Sequence, residues 1–156
     1  MRISFDVDDT LVYYGDDVAY EPNRVPWLLR PWFTEPLRAG TRALMRDLIR
    51  DGHEVWIYTT SLRDPWHMKC WLGFHGVKIT DVINDTIHLT YLKKHGYQRG
   101  PSKLPSAWRI DLHVDDSEGV KWEGDEHGFH VVVVAPDDPE WTQKIRDAVA
   151  RLASRD

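Results

Sequence analysis

Cysteine is almost absent from this chain. Cys70 is the only one in 156 residues, so no disulfide can close within the chain and no thiolate cluster can form in it. Long apolar runs are missing as well, and no window approaches the roughly 20 residues that span a bilayer. The N-terminus lacks a basic segment followed by an apolar stretch and cleavage site; it opens directly into a strand-like run that ends in acids. The expected compartment is therefore the cytoplasm, with no membrane partner. An excess of positive charge is also lacking, since 20 Lys and Arg face 25 Asp and Glu, for a net charge of −5 and a pI near 5.9. General affinity for nucleic acid rests on cations that release counterions from phosphates. Here the cations are scattered, apart from a loose group at Lys93, Lys94, Arg99 and Lys103. Nucleic acid is not favoured as a partner. The sequence shows no internal repeat and no low-complexity segment, and it sets no oligomeric state.

What is present fits one domain over residues 1–156, with 42% hydrophobic and 29% charged residues. Short apolar runs alternate with amphipathic stretches, which predicts an α/β fold with a mainly parallel sheet. Arg2 to Val7 reads as the first strand. Residues 13–36, rich in proline and aromatics, read as a surface excursion holding a small hairpin. A helix is expected over 36–51, with Leu37, Leu44, Leu48 and Ile49 inward, stopped by Asp51-Gly52. Glu54 to Tyr58 is the second strand, and the next helix starts at Asp64-Pro65, an acid cap followed by proline in the first turn. Ile79 to Ile83, Ile110 to Val114 and His130 to Val134 read as three further strands. Residues 84–107 read as loop with a helical turn. Asp138-Pro139 caps a terminal helix with Trp141, Ile145, Ala148, Val149 and Leu152 inward.

Three strands end in reactive groups: Asp6-Val7-Asp8-Asp9-Thr10, Thr59-Thr60-Ser61 and Asp115-Asp116. Open α/β sheets bind ligands outside the carboxyl ends of their strands, so parallel strands collect these groups at one edge. So many carboxylates repel one another unless a cation neutralises them, and an all-oxygen donor set suits a hard ion such as Mg²⁺. No pair among the eight histidines has a convincing zinc spacing; His67 with Cys70 lacks further ligands. Of the eight tryptophans, Trp56, Trp71 and Trp141 lie on apolar faces and are expected in the core. Trp27, Trp32, Trp66 and Trp108 lie in loops, where they either form an aromatic wall or pack the excursion down.

The run Asp6-x-Asp8-x-Thr10 after an N-terminal hydrophobic strand resembles motif I of the haloacid dehalogenase (HAD) superfamily. The hydroxyl after Val55-Trp56-Ile57-Tyr58 resembles motif II, a lysine before the fourth strand motif III, and Leu112-His113-Val114-Asp115-Asp116 the double-aspartate motif IV. All four occur in order, over about residues 2 to 135. The resemblance implies a three-layer Rossmann-like fold and a Mg²⁺-dependent phosphohydrolase. It makes Asp6 the nucleophile and a metal ligand, and Asp8 the general acid and then base, with its carbonyl on the metal. Thr59 would hold the transferring phosphoryl group and Lys103 would neutralise it. Asp116 would bind the metal directly and Asp115 from the second sphere, with Thr10 and Thr60 as further contacts. Thr60 is the alternative to Thr59, since strand ends read from sequence shift by a residue or two. Lys93 and Lys94 are the alternatives to Lys103. Asp8 favours phosphate esters over halides, because an alkoxide leaving group needs a proton and a halide does not.

Family members often insert a cap domain after motif I or between motifs II and III. The first gap here holds only the excursion, and the second is used by a helix and a strand, so no full cap domain is expected. An open site of that kind suits a phosphorylated macromolecule, or a small phosphomonoester where the excursion covers it in part. Three rivals stand beside this reading. A two-component receiver domain would place its lysine last, whereas here the double acid follows the lysine. A binding protein could keep the fold without turnover. Phosphotransfer to another acceptor, or dehalogenation, would differ in product.

Overall fold

The computed structural model describes residues 1–16, 18–98 and 100–154, so Asp17 of the excursion and Arg99 of the basic group lie outside the described residues. Five strands form one parallel sheet: β1 (Arg2–Phe5), β2 (Glu54–Tyr58), β3 (Asp81–Ile83), β4 (Leu112–Asp115) and β5 (His130–Val133), in the order β3-β2-β1-β4-β5. Between them run α1 (Thr41–Arg50), α2 (Pro65–Phe74), α3 (Asp85–Lys94) and α4 (Glu118–His127), and α5 (Trp141–Ala153) closes the chain. The strand order reverses at β1, so the crevice at the carboxyl ends of β1 and β4 is the place such sheets offer a ligand. Among the described residues no helix is long and apolar enough to cross a membrane.

Strand residues alternate between the two sheet faces, and here the faces differ in chemistry. In register, Val55, Ile3 and Leu112 form one row, and Ile57, Phe5 and Val114 another. Both rows join the main core with Leu44, Met45 and Leu48 of α1, Met68, Trp71 and Leu72 of α2, and Trp141, Ile145, Ala148 and Val149 of α5. The alternate residues Trp56, Ser4 and His113 share the intervening row on the other face. That face is covered by α3 and α4 through a much smaller cluster of Leu92, Leu104, Val120 and Phe129. The approach is close there: a Cβ at Gly124 of α4 would lie 2.6 Å from the Phe129 carbonyl oxygen.

Several boundaries depart from expectation. The first helix starts at Thr41 rather than 36, because Gly40 has φ of 89° and Arg38 is committed elsewhere. Buried Arg38 donates to the carbonyls of Thr10, Ala135 and Asp138 and lies over the Trp141 ring at 4.5 Å. Among its described residues the excursion contains no hairpin. It has a 3₁₀ turn at Trp27–Leu29 and an isolated antiparallel bridge between Tyr20 and Arg38, and buried Val25 and Phe33 pin it to the main core. Residues 85–94 are a full helix, not a turn, capped by Asn84, whose side chain accepts from the Ile87 amide at 3.0 Å. Helix α4 was not anticipated; Ser117 caps it. The first strand stops at Phe5, the third starts at Asp81, the fourth spans Leu112–Asp115 and the fifth ends at Val133. Asp138 does not cap α5, which begins beyond Glu140; Asp138 Oδ1 accepts the Glu140 amide in the preceding turn. The α2 start at Asp64-Pro65 is as expected, with Asp64 accepting from His67 N at 2.9 Å. Trp71 and Trp141 are buried, whereas Trp56 is half-buried beneath the Arg2 guanidinium.

Candidate active site

Asp6 continues β1 by one hydrogen bond, its amide donating to the Val114 carbonyl at 2.9 Å. The chain then turns sharply: the amides of Leu11 and Val12 both donate to the Val7 carbonyl, and Asp9 takes a φ of 56°. This turn buries Asp6 and Thr10 and leaves Asp8 exposed. Next to it, β4 delivers Asp115 and Asp116. One carboxylate oxygen each of Asp6, Asp115 and Asp116 lies within 4.8 Å of the others, a group that could hold a metal ion.

Lys103 enters this cluster from the loop before β4. Its Nζ lies 2.7 Å from Asp6 Oδ1 and 2.5 Å from Asp115 Oδ2, and the side chain is almost wholly buried. Lys93 and Lys94, the alternatives, are exposed on α3. The Lys103 loop is held from both sides. Ser102 donates through its amide and hydroxyl to Glu123 of α4, and the Leu104 amide donates to the Tyr58 hydroxyl at 2.8 Å. Tyr58 in turn bonds His88 Nδ1 at 2.6 Å, and His88 Nε2 meets the Pro101 carbonyl at 3.1 Å. A carbonyl only accepts, so Nε2 carries the proton and the Tyr58 hydroxyl donates to Nδ1.

Asp115 is saturated by donors. Its Oδ2 receives Lys103 and His113 Nε2, the latter at 2.9 Å, and its Oδ1 receives the Ser117 amide. His113 Nδ1 is 2.7 Å from the Ser4 hydroxyl, completing a buried chain from Ser4 through His113, Asp115 and Lys103 to Asp6. Burial pushes the His113 imidazole down to about 4, so it is neutral at pH 7, donates from Nε2 and accepts the Ser4 proton at Nδ1. Burial opposes the Asp115 charge too, but the His113 hydrogen bond and the Lys103 charge outweigh it and hold this acid well below the usual carboxylate range. Asp6 differs. Burial, with Asp115 adding and Lys103 offsetting in part, pushes it up to about 6. Asp116 is also raised, by burial and by the Asp115 charge.

These groups test whether a cation fits. Three ionised carboxylates and one lysine leave a net charge of −2 in a largely buried cluster, which one divalent ion balances. Asp6 Oδ1 is a buried oxygen whose partner among the described residues is the Lys103 ammonium at 2.7 Å. Asp116 is free of the donors that occupy Asp115 and is half-buried at the rim. An all-carboxylate set of this kind fits a hard ion.

The other candidates stand apart from the acids. The Thr59 hydroxyl is buried and tied to Ser61, while Thr60 is exposed at the edge of an open groove of about 690 Å³ beside His88, Leu89 and Leu92. Thr10 Oγ1 is buried without a hydrogen-bond partner among the described residues. Among the described residues no hydrogen bond joins Thr10, Thr59 or Thr60 to the acid cluster. The Asp8 carboxylate is not in that cluster either; it is gripped by Arg63, which also holds Glu35. Trp27, Trp32 and Trp66 are largely exposed, whereas Trp108 packs under the sheet against Tyr58 and Tyr91. His67 stacks on Phe33 at 4.2 Å. Sequence reasoning missed Ser4, His113, Arg63 and Glu35. Only His113 left a signal: as residue i−2 to Asp115 in one strand, it shares its face.

No family model matches the chain, and no curated protein matches it in sequence. In shape it is similar to the HAD domain of the effector protein Lem4 from Legionella pneumophila, with a TM-score of 0.53 and 13% identity, covering 96% of this chain and 93% of that one. A predicted HAD-like family hydrolase from Porphyromonas gingivalis gives a TM-score of 0.49 and 12% identity over 97% of each chain. The likeness to the Legionella domain is one of fold: the chain has a HAD-like, Rossmann-type α/β fold.

Proposed function

We propose that this chain is a Mg²⁺-dependent phosphohydrolase of the capless, phosphatase-like kind, cleaving a phosphomonoester through an aspartyl-phosphate on Asp6. The observation that carries the reading is the buried Asp6 carboxylate, its Oδ1 held by the Lys103 ammonium at 2.7 Å, beside two further acids at the strand-order reversal. The capless part of the reading is supported by the excursion, whose described residues hold only a 3₁₀ turn and an isolated bridge.

In this mechanism an Asp6 oxygen attacks phosphorus and the bond to the ester oxygen breaks. Asp8 gives that oxygen its proton. Water then attacks the aspartyl-phosphate, Asp8 takes the water's proton, and the bond from phosphorus to Asp6 breaks to release phosphate. Lys103 keeps Asp6 oriented and balances charge that grows on the phosphoryl oxygens. Thr59 would hold one of those oxygens. Asp6, Asp116 and the Asp8 carbonyl would hold Mg²⁺, with Asp115 in the second sphere, and the bound ion would supply positive charge to the phosphoryl group. The acid–base role assigned to Asp8 favours esters over halides as substrates.

The test is phosphate release from a panel of small phosphomonoesters, phosphopeptides and 3′-phosphorylated oligonucleotides. It is run with Mg²⁺, with EDTA and with Asp6→Asn. Turnover that needs both Mg²⁺ and Asp6 is the expected result. Full activity in Asp6→Asn would remove the nucleophile assignment, and silence across the panel from folded protein would favour a binding role.

A further inference from the structure

The Arg63 guanidinium stands where three loops meet. Its Nη1 and Nη2 donate to Asp8 Oδ2 and Oδ1, each at 2.7 Å, in the fork geometry that makes arginine–carboxylate pairs strong and directional. Nε and Nη2 also donate to Glu35 Oε1, at 2.9 and 2.6 Å. The loop after β1, the excursion and the loop after β2 are thus joined through one planar group.

Each member is anchored from behind. The Arg63 carbonyl accepts from Asn84 Nδ2 at 3.1 Å, while the other end of that amide caps α3. Glu35 follows Phe33, which is buried, stacks on His67 at 4.2 Å and meets Phe74 edge-on at 5.1 Å. Asp8 sits in the tight turn before Asp9, whose φ of 56° sets the direction of the backbone. Exposure grades across the trio: the side chains of Arg63 and Glu35 are 20% and 22% exposed, and that of Asp8 is 53% exposed. The clamp is therefore shielded, and the carboxyl it grips faces outward. A carboxylate oxygen has two lone pairs, so the fork leaves one on each oxygen of Asp8. An ordinary surface ion pair would contribute little. A shared, bidentate and braced one instead sets both side-chain torsions of the residue it holds.

We infer that Arg63, braced by Glu35, is a positioning residue for Asp8, fixing the direction in which its carboxyl meets the leaving-group oxygen. This rests on the phosphohydrolase reading above. The experiment measures kcat and KM with Mg²⁺ on aryl and alkyl phosphates of graded leaving-group acidity. The proteins are the parent, Asp6→Asn, Asp8→Asn, Arg63→Ala, Arg63→Lys, Glu35→Gln and the Asp8→Asn/Arg63→Ala double variant. Displacing a catalytic group by about an ångström costs on the order of 100-fold. Arg63→Ala should accordingly lower kcat by about 10- to 100-fold, with KM within about twofold and the largest loss on poor leaving groups. Arg63→Lys keeps the charge but not the fork and should fall in between, with Glu35→Gln milder still. In the Asp8→Asn background, Arg63→Ala should cost almost nothing more.

Losses that multiply in the double variant, or a KM that rises alone, would overturn positioning and make Arg63 a substrate contact. Faster turnover in Arg63→Ala would make it a restraint on Asp8. If Arg63→Ala fails to fold, Arg63→Lys and Glu35→Gln in the same cycle decide the matter. Indifference of turnover to Asp6→Asn and Asp8→Asn would overturn the phosphohydrolase reading and this inference together; normal losses there with none at Arg63 would overturn the inference alone.

Discussion

Asp6→Asn should make the protein more stable in EDTA at neutral pH, although it removes the proposed nucleophile. Asp6 is 6% exposed, and burial, reinforced by Asp115 and offset in part by Lys103, lifts its pKa from an ordinary 3.8 to about 6. An acid with a raised folded-state pKa binds its proton more tightly folded than unfolded. Its cost is absent below about pH 4, grows as pH rises toward 6, and is complete above that. A rise of about two pH units at 1.36 kcal/mol each is a cost of about 3 kcal/mol at pH 7. Asparagine has nearly the same shape and never ionises, so the variant should exceed the parent by about that much at pH 7 and by almost nothing near pH 4. In a chain of this length the gain is a Tm increase of about 6–12 °C. Asp115 shapes the parent profile in the opposite sense, since its depressed pKa gives stability above its unfolded value that is lost as pH falls. Asp6 and Asp115 share Lys103 and sense each other's charge, so the difference between the two proteins reports Asp6 together with the change its loss causes at Asp115.

Thermal and urea unfolding of both proteins in EDTA between pH 4 and 8 measure this. A Mg²⁺ titration completes it, because an ion that binds only the folded state stabilises it by mass action, about 2.7 kcal/mol at 100 times its Kd. The parent should gain in this way and Asp6→Asn should gain much less. Equal or lower stability of Asp6→Asn at pH 7 would refute the reasoning, because the Lys103 ion pair would then outweigh burial. A difference of the same size at pH 4 would refute it too, since the gain could not come from charge.

Two other substitutions probe the acids. His113→Phe removes the donor to Asp115 and the acceptor for Ser4 inside the fold, and it should cost about 2–4 kcal/mol by urea unfolding, two unpaired buried groups at 1–3 kcal/mol each less what the ring regains; an unchanged midpoint would remove the buried chain as a stabilising device. Asp116→Ala should raise the Mg²⁺ concentration for half-maximal activity by about tenfold, the size of losing one charged ligand worth about 1.4 kcal/mol, and an unchanged value would pass the ligand role to Asp115.

Legibility in the sequence followed the thickness of the core. Glu54–Tyr58 and the start of α2 were readable because their apolar positions face the large cluster and a proline follows the Asp64 cap. Helices α3 and α4 were not, because their buried stripes are short of apolar residues. In α3 the buried positions are His88 and Leu92, while Ile87 and Leu89 face solvent. In α4 they are Val120 and Gly124, with Trp122 exposed. A hydrophobic period cannot announce a helix whose inner face holds histidine and glycine. The acids at the strand ends were legible for a different reason, since parallel strands deliver their last residues to one edge whatever the loops do. Arg63 and Glu35 were not, because they meet only once two loops have folded onto each other.

The weakly apolar sheet face and the candidate site have one cause. Ser4, His113 and Asp115 occupy alternate positions that point away from the main core, and Tyr58 does the same on β2. A face filled by Ile and Leu would have packed α3 and α4 more firmly. It would also have left Asp115 without His113 and the Lys103 loop without the Tyr58 hydroxyl that receives the Leu104 amide. The two faces therefore divide the work, one burying apolar area and the other running polar groups from the sheet interior to Asp6. Register couples them. A shift of β4 by one residue would carry His113 and Asp115 into the apolar cluster and bring Leu112 and Val114 to the acids. The apolar rows Val55-Ile3-Leu112 and Ile57-Phe5-Val114 oppose such a shift, so the residues that hold the core also set the position of the Asp115 carboxylate beside Lys103.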